Sequence, residues 1–386
     1  MKRGILVILL MVVACVWAQA GEKMDADSVI HRYATVLDSV VTVRVEKRFK
    51  PDSWVTQLVK NRFNVYDTTL RAPKFVNFCL NVYRWGDKTF NSYDTAYVYS
   101  YPKKWKVMLK ANTKWNLYHV NARDEGDPSM FFNTEPRTQA GFRISFMAVG
   151  FEYMPDIDNL VSGKAIDHRL TRFTFTCSRV IAELYYNKST GMSRINKFGD
   201  YNQGHFINEK FDGLMSSTLG LDAFYVFNHK KYAHAAAYCF SKNQLRSAGS
   251  FILGVQYADQ DMSLDLARLP EDIKPYNPWG DQMFRIHHYD YAVNVGYGYN
   301  WVFHRNWLFN IMATPSIGLR HTVINDVDNA RNTMACNLRG RMALVRNCGN
   351  FFYGMNATFN GFFSWSNKFT IYNQNNDVTI AAGLRF

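Results

Sequence analysis

Between Tyr289 and Trp301 the chain alternates with a period of two. The odd positions, Tyr289, Tyr291, Val293, Val295, Tyr297, Tyr299 and Trp301, are aromatic or aliphatic. The even positions, Asp290, Ala292, Asn294, Gly296, Gly298 and Asn300, are polar or small. An extended strand sends these two sets to opposite faces. Aromatics at both ends of the apolar face, with valines between them, match two interfacial girdles around a hydrocarbon band. The length suits a tilted membrane-spanning strand of about 9–11 residues. The pattern predicts one stave of a transmembrane barrel.

The same period recurs from Trp105 to the C-terminus. Trp105, Val107, Leu109, Ala111 and Trp115 alternate with Lys106, Lys110, Asn112 and Lys114. Phe142, Ile144 and Phe146 oppose Arg143 and Ser145. Leu170–Tyr186 reads as one strand that changes phase midway, which predicts a bulge. Leu219–Phe227 and Tyr232–Phe240 read as a pair flanking a turn at 228–231. Phe251, Leu253, Val255 and Tyr257 oppose Ser250, Gly254 and Gln256. The 307–319 stretch has the same pattern and carries Pro315, which removes one ladder donor. Met334–Leu344 sets Arg339 and Arg341 on the inner face, and Phe351–Trp365 follows. The chain ends on Ile380, Ala382, Leu384 and Phe386, with Arg385 opposed. Lys106, Lys110, Lys114, Arg143, Arg339, Arg341 and Arg385 are therefore expected in the lumen.

These stretches make eleven strands, and bacterial barrels have even numbers with both termini periplasmic. The expectation is an all-β, antiparallel up-and-down barrel of about 12 strands (10 as the alternative) over residues 101–386. Asp94–Tyr101 is the first candidate for the missing strand. Counting back from the C-terminus, 304–306 and 347–350 become periplasmic turns. The loop from Asp259 to Gln282 becomes extracellular.

The N-terminal part has another texture. Lys2 and Arg3, an apolar run from Ile5 to Val13 and Ala18-Gln19-Ala20 read as a signal peptide over 1–20. The rival is a lipobox at Val12–Cys15. Residues 21–100 read as a small, largely helical periplasmic extension. Asp27 and Ser53 are candidate caps, and Phe75, Phe78, Cys79, Val82 and Tyr83 have helical spacing. Net charge is +13, but no basic run or nucleic-acid motif accompanies it. The charge instead suits lumen lining or lipopolysaccharide phosphates. Cys79, Cys177, Cys239, Cys336 and Cys348 have neither zinc nor disulfide spacing, so no metal and no cofactor are expected.

Candidate chemistry is thin. His288 and Asp290 share a face, and Ser316 on the next strand could complete a hydrolase-like set. The opposing reading makes them ordinary lumen groups. Placing Phe303 opposite Trp307 keeps every face in phase and leaves 304–306 as a loop. In that register Asp290 meets Arg320, and Asn294 meets Ser316, so an Asp290–Arg320 ion pair is expected inside the barrel. Asp259, Asp261, Asp265, Glu271, Asp272 and Asp281 are acidic enough for calcium, but their spacing fits no calcium loop.

Two blocks carry a family resemblance: Gln244-Leu245-Arg246-Ser247-Ala248-Gly249-Ser250-Phe251, and Val295-Gly296-Tyr297-Gly298-Tyr299-Asn300-Trp301 continued by Arg305-Asn306-Trp307. The sequence resembles a family of exported Bacteroidota proteins known as domain of unknown function 4421. The resemblance implies an outer-membrane barrel in a Gram-negative cell and supplies no reaction, ligand or catalytic residue. The terminal Ile380, Ala382, Leu384 and Phe386 resemble the signal read by barrel-assembly machinery. Expected partners are that machinery, outer-membrane lipid and lipopolysaccharide. The leading expectation is a passive structural barrel or narrow channel. The alternatives are a lipid-modifying hydrolase or acyltransferase, and a surface or periplasmic interaction module.

Overall fold

The structure is a computed structural model that describes residues 53–61, 64, 66–67, 70, 72–90, 92–122, 128–156, 169–190, 193–304, 306–326, 331–365 and 369–386. The segment 1–20, the Val12–Cys15 alternative and the helix expected from Asp27 lie outside the described residues. Helices cover Trp54–Lys60, capped by the Ser53 hydroxyl on the Thr56 N–H, and Lys74–Phe90.

The strands follow in chain order. They are β1 (Val98–Ser100), β2 (Trp105–Ala122), β3 (Met130–Thr134), β4 (Arg137–Phe146), β5 (Val149–Pro155) and β6 (Arg169–Thr176). Next come β7 (Val180–Thr190), β8 (Ser193–Phe198), β9 (Glu209–Phe211), β10 (Leu214–Val226), β11 (Lys242–Gln244) and β12 (Ala248–Asp265). The last are β13 (Met283–His304), β14 (Trp307–Asn325), β15 (Asn332–Cys348), β16 (Phe351–Trp365) and β17 (Phe369–Arg385). Twelve of them, β2, β4–β7, β10 and β12–β17, form an antiparallel ring that closes where β17 pairs with β2. Closure leaves no unpaired edge in the ring, the condition for a sheet in hydrocarbon.

The opening pattern on β13 reads out directly. Tyr291, Val293, Val295, Tyr297, Tyr299 and Trp301 are exposed on the outer face, while Asp290, Asn294 and Asn300 are buried inside. Lys106, Lys110, Arg143, Arg339, Arg341 and Arg385 are likewise buried in the lumen. At the end of the ring that holds the C-terminus, the turns are short at Cys177–Arg179, between β13 and β14, and at Gly349–Asn350. The connection from β10 to β12 is the long one at that end.

Several expectations need correction. Asp94–Tyr101 is not a barrel strand: its Val98–Ser100 pairs with β11 in a separate two-stranded sheet. Leu170–Tyr186 is not one bulged strand but two, β6 and β7, whose phase changes because the chain turns at 177–179. Tyr232–Phe240 is not a strand, because it contains the helix His234–Tyr238. The short β5 was missed altogether, so one spurious strand and two uncounted ones turn eleven into twelve. At the β13–β14 turn His304, not Phe303, faces Trp307, and Phe303 is bulged out. The bulge absorbs the offset, so Asp290 still faces Arg320 and Asn294 still faces Ser316. Strand β12 also runs to Asp265, which shortens the expected extracellular loop to 266–282.

Outside the ring, β3, β8 and β9 continue the sheet from the far end of β2. Their apolar residues meet those of the 266–273 segment in one cluster with Tyr118, Phe132, Phe198, Phe211, Leu214 and Leu266. Tyr118 is on β2 and Leu214 on β10, five strands round a ring of twelve. The cluster therefore spans the end of the ring opposite the C-terminus along a near-diameter.

Candidate functional site: a plug and a charged chamber

The connection between β10 and β12 turns back into the barrel. Tyr232, Ala233, Ala236 and Ala237 are completely buried there, and Phe240 nearly so. Small alanines let the short helix pack against Leu308, Ala343, Val345, Phe352 and Ala381 of the ring. Phe240 stacks on Phe352 at 4.9 Å. Gly298 makes room for this segment, since a Cβ at that position would stand 2.5 Å from the Tyr232 hydroxyl oxygen. The small residues on the inner face of β13 thus have a packing role.

Hydrogen bonds fix the plug on several sides. Asn300 Nδ2 donates to the Ala233 carbonyl at 3.1 Å and to Gln244 Oε1 at 2.9 Å, and Gln244 Oε1 also accepts the Ala233 N–H at 3.0 Å. Asn310 Nδ2 donates to the Tyr232 hydroxyl at 3.1 Å, and the Tyr238 hydroxyl donates to Asn310 Oδ1 at 2.6 Å. Lys106 Nζ and Arg385 Nε donate to the carbonyls of Cys239 and Phe240 at 3.1 and 2.8 Å. Gln244 and Asn300 come from the two blocks that carry the family resemblance, so those blocks meet at the plug.

Above the plug lies a polar chamber with about 110 Å³ open to water. Lys110, Lys114, Arg143, Arg172, Arg339 and Arg341 supply its positive charge. Glu152 accepts from Lys110 at 2.7 Å and from Arg143 at 3.3 Å, and is 1% exposed. Arg341 pairs with Glu183 at 2.9 Å, and Arg339 with Asp222 at 2.7 Å. Periodicity found five of these six cations; it missed Arg172, Glu152, Glu183 and Asp222. Glu152 and Arg172 sit on strands that were missed or merged. Their only sequence signal is inward phase beside Phe151 and Phe173.

Further toward the mouth a second cavity holds His288 and Arg320, and it shares Asn187, Thr218, Gln260, Phe362 and Asn375 with the chamber. Arg320 grips Asp290 with both forks, Nε–Oδ1 at 2.8 Å and Nη2–Oδ2 at 2.9 Å, and Gln260 donates to the same carboxylate at 3.0 Å. His288 Nε2 lies 3.6 Å from Asp290. Ser316 is elsewhere: its hydroxyl is 3.5 Å from the Asn337 carbonyl, and His288 faces Thr322, six residues along from Ser316. The structure therefore joins His288 to Asp290 and leaves Ser316 out of reach, with no nucleophile–base contact. Among the acidic residues weighed for calcium, Asp259 meets His287, Asp261 meets Arg285, Asp265 meets Arg268 and Glu271 meets Lys274. Basic partners thus occupy four of the six carboxylates, and no metal-binding cluster occurs among the described residues.

Comparison with solved structures returns outer-membrane proteins at low similarity. The outer membrane protease OmpT from Escherichia coli is 7% identical, with a TM-score of 0.35, over 75% of this chain and 98% of that one. The Pseudomonas putida toluene transporter TodX is 6% identical, with a TM-score of 0.23, over 74% and 91%. A bacterial polysaccharide outer membrane secretin is 8% identical, with a TM-score of 0.30, over 74% and 99%. These values carry nothing about activity. No curated protein matches the chain. Residues 92–386 match the family described as "Domain of unknown function (DUF4421)", and the chain belongs to it.

Proposed function

We propose that this member of the family is a self-plugged barrel of the Gram-negative outer membrane, closed to ions at rest, with a structural or binding role. The observation that carries this reading is the seating of residues 228–247 inside the ring, on side chains from β2, β13, β14 and β17. Such a plug does not suit a standing pore. The enzyme alternative loses the nucleophile expected for it, since Ser316 lies out of reach of His288. The signal segment 1–20 would deliver the chain for export, the extension 21–100 would remain in the periplasm, and the terminal Phe386 strand would address the assembly machinery. Outer-membrane lipid would surround the exposed aromatic belt.

Planar-bilayer recording tests this. Wild-type protein is expected to give no steady conductance. Replacing residues 232–243 by a short Gly-Ser turn is expected to give discrete openings. Steady openings of the wild type at neutral pH would overturn the proposal.

The plug also predicts an acid response. His234 is buried and stacked on Tyr238 at 4.6 Å. Burial, reinforced by the Arg341 charge and opposed by Glu183, pushes its imidazole down to about 3. An unseated plug would titrate near the ordinary value of about 6.5. Seating is therefore undiminished above about 6.5 and weakens as pH falls toward 3, because only the unseated form takes the proton. The gradient approaches about tenfold per pH unit. Openings should become more frequent from pH 7 to pH 5, and His234→Phe, which keeps the stack, should abolish that change.

A further inference from the structure

The charges of the lumen chamber do not cancel. Six cations, Lys110, Lys114, Arg143, Arg172, Arg339 and Arg341, face four carboxylates, Glu152, Glu183, Asp222 and Asp377. Glu152 is already shared by Lys110 and Arg143, while Glu183 and Asp222 each hold one arginine. Arg172 stands directly across the ladder from Glu152, yet forms no ion pair with it. Lys114 donates to a neutral partner, Asn187 Oδ1, at 2.6 Å, and stands across the ladder from Asp377 without forming an ion pair with it. Arg172 and Lys114 are thus the chamber's two cations without an ion pair among the described residues. Uncompensated charge away from bulk water is unfavourable, and a mobile counter-charge relieves it.

The free hydrogen-bonding capacity leans the same way, with three donors against two acceptors, Asn112 Oδ1 and Asp222 Oδ1, outside the ion pairs. Arg172 Nε, Arg341 Nε and Asn376 Nδ2 are buried donors without an acceptor among the described residues. Asn376 is itself only 7% exposed. All three residues line the same chamber. Guanidinium forks together with amide donors are the groups that recognise planar or tetrahedral oxyanions. The cavity holding His288 and Arg320 continues the chamber toward the extracellular end, while the plug closes the other.

From this geometry we propose that the chamber is a binding site for an oxyanion, a phosphate or carboxylate carried by a small polar molecule, with Arg172 and Lys114 as its charge contacts. The inference deepens the closed-barrel reading and rests on it for the direction of entry.

The test uses the full purified chain in lipid nanodiscs, titrated calorimetrically with inorganic phosphate and, separately, with glucuronate; the two probes separate phosphate from carboxylate recognition. Saturable binding of at least one, near one per barrel, is expected. Arg172→Gln and Lys114→Gln should each weaken it tenfold or more. Arg346→Gln, which removes a cation stacked on the outward Trp307, should leave it unchanged. Heat-dependent gel mobility shows that each variant has folded. Absence of saturable binding for both probes would overturn the inference, as would unchanged affinity in folded Arg172→Gln and Lys114→Gln. A wild type that conducts but binds phosphate would sink only the closed-barrel reading; a silent barrel that binds neither probe would sink only this one.

Discussion

Replacing Glu152 by glutamine should cost the barrel about 3–5 kcal/mol of stability. Its carboxylate is 1% exposed and is the shared partner of Lys110 and Arg143. Glutamine keeps the shape and removes the charge, leaving two buried cations uncompensated beside Arg172, which already has no ion pair. Breaking a buried pair from one side is the expensive case, since the surviving charges keep their desolvation cost and lose their attraction. Lys114→Gln removes one of the chamber's two excess positive charges, so in phosphate-free buffer it should be neutral or mildly stabilising. Urea unfolding of the refolded protein in lipid vesicles reads both. If Glu152→Gln were harmless, or Lys114→Gln equally damaging, the charge balance described for the chamber would be wrong.

Lysine at Val295 should cost about 2–4 kcal/mol if this position sits near the bilayer midplane. Val295 lies between the aromatic pairs of β13 on a face that points away from the lumen, with 57% of its surface exposed. An ammonium there has neither water nor a carboxylate within reach. The same change at Phe303, bulged out beside the periplasmic turn, should cost about 0–1 kcal/mol, because the side chain reaches the interface. The vesicle assay gives both values. Equal penalties at the two positions would refute the placement of the membrane band on β13.

The ring was legible because a ladder between lipid and lumen imposes period two on every residue it holds. Keeping faces in phase across a hairpin was enough to set Asp290 against Arg320, even though the turn residue was misplaced by one. What was illegible has a physical reason too. Tyr232–Phe240 is bounded by aromatics and has enough apolar residues for a strand. It is enclosed on all sides by protein, so no lipid-facing periodicity distinguishes its helix. β5 is short and carries Gly150 and Pro155, poor strand residues. Losing it hid Glu152, the acid that anchors the chamber. The plug did leave a trace, since Gln244 and Asn300 lie in the two blocks shared with the family, but only the fold puts them 2.9 Å apart.

Lys106 and Arg385 face each other across the β2–β17 seam. Each also donates to a carbonyl at the end of the plug helix. The seam joins the first and last strands of the ring, so it forms only when the whole sheet has been laid down. Zipping it shut and docking the plug thereby become one cooperative step. A nascent ring that closes empty leaves both cations without these acceptors, and a ring still open holds the plug by one side alone. On the closed-barrel reading, leaky intermediates would thus be disfavoured at the moment of insertion, and the order of assembly itself would guard the membrane against an ion leak.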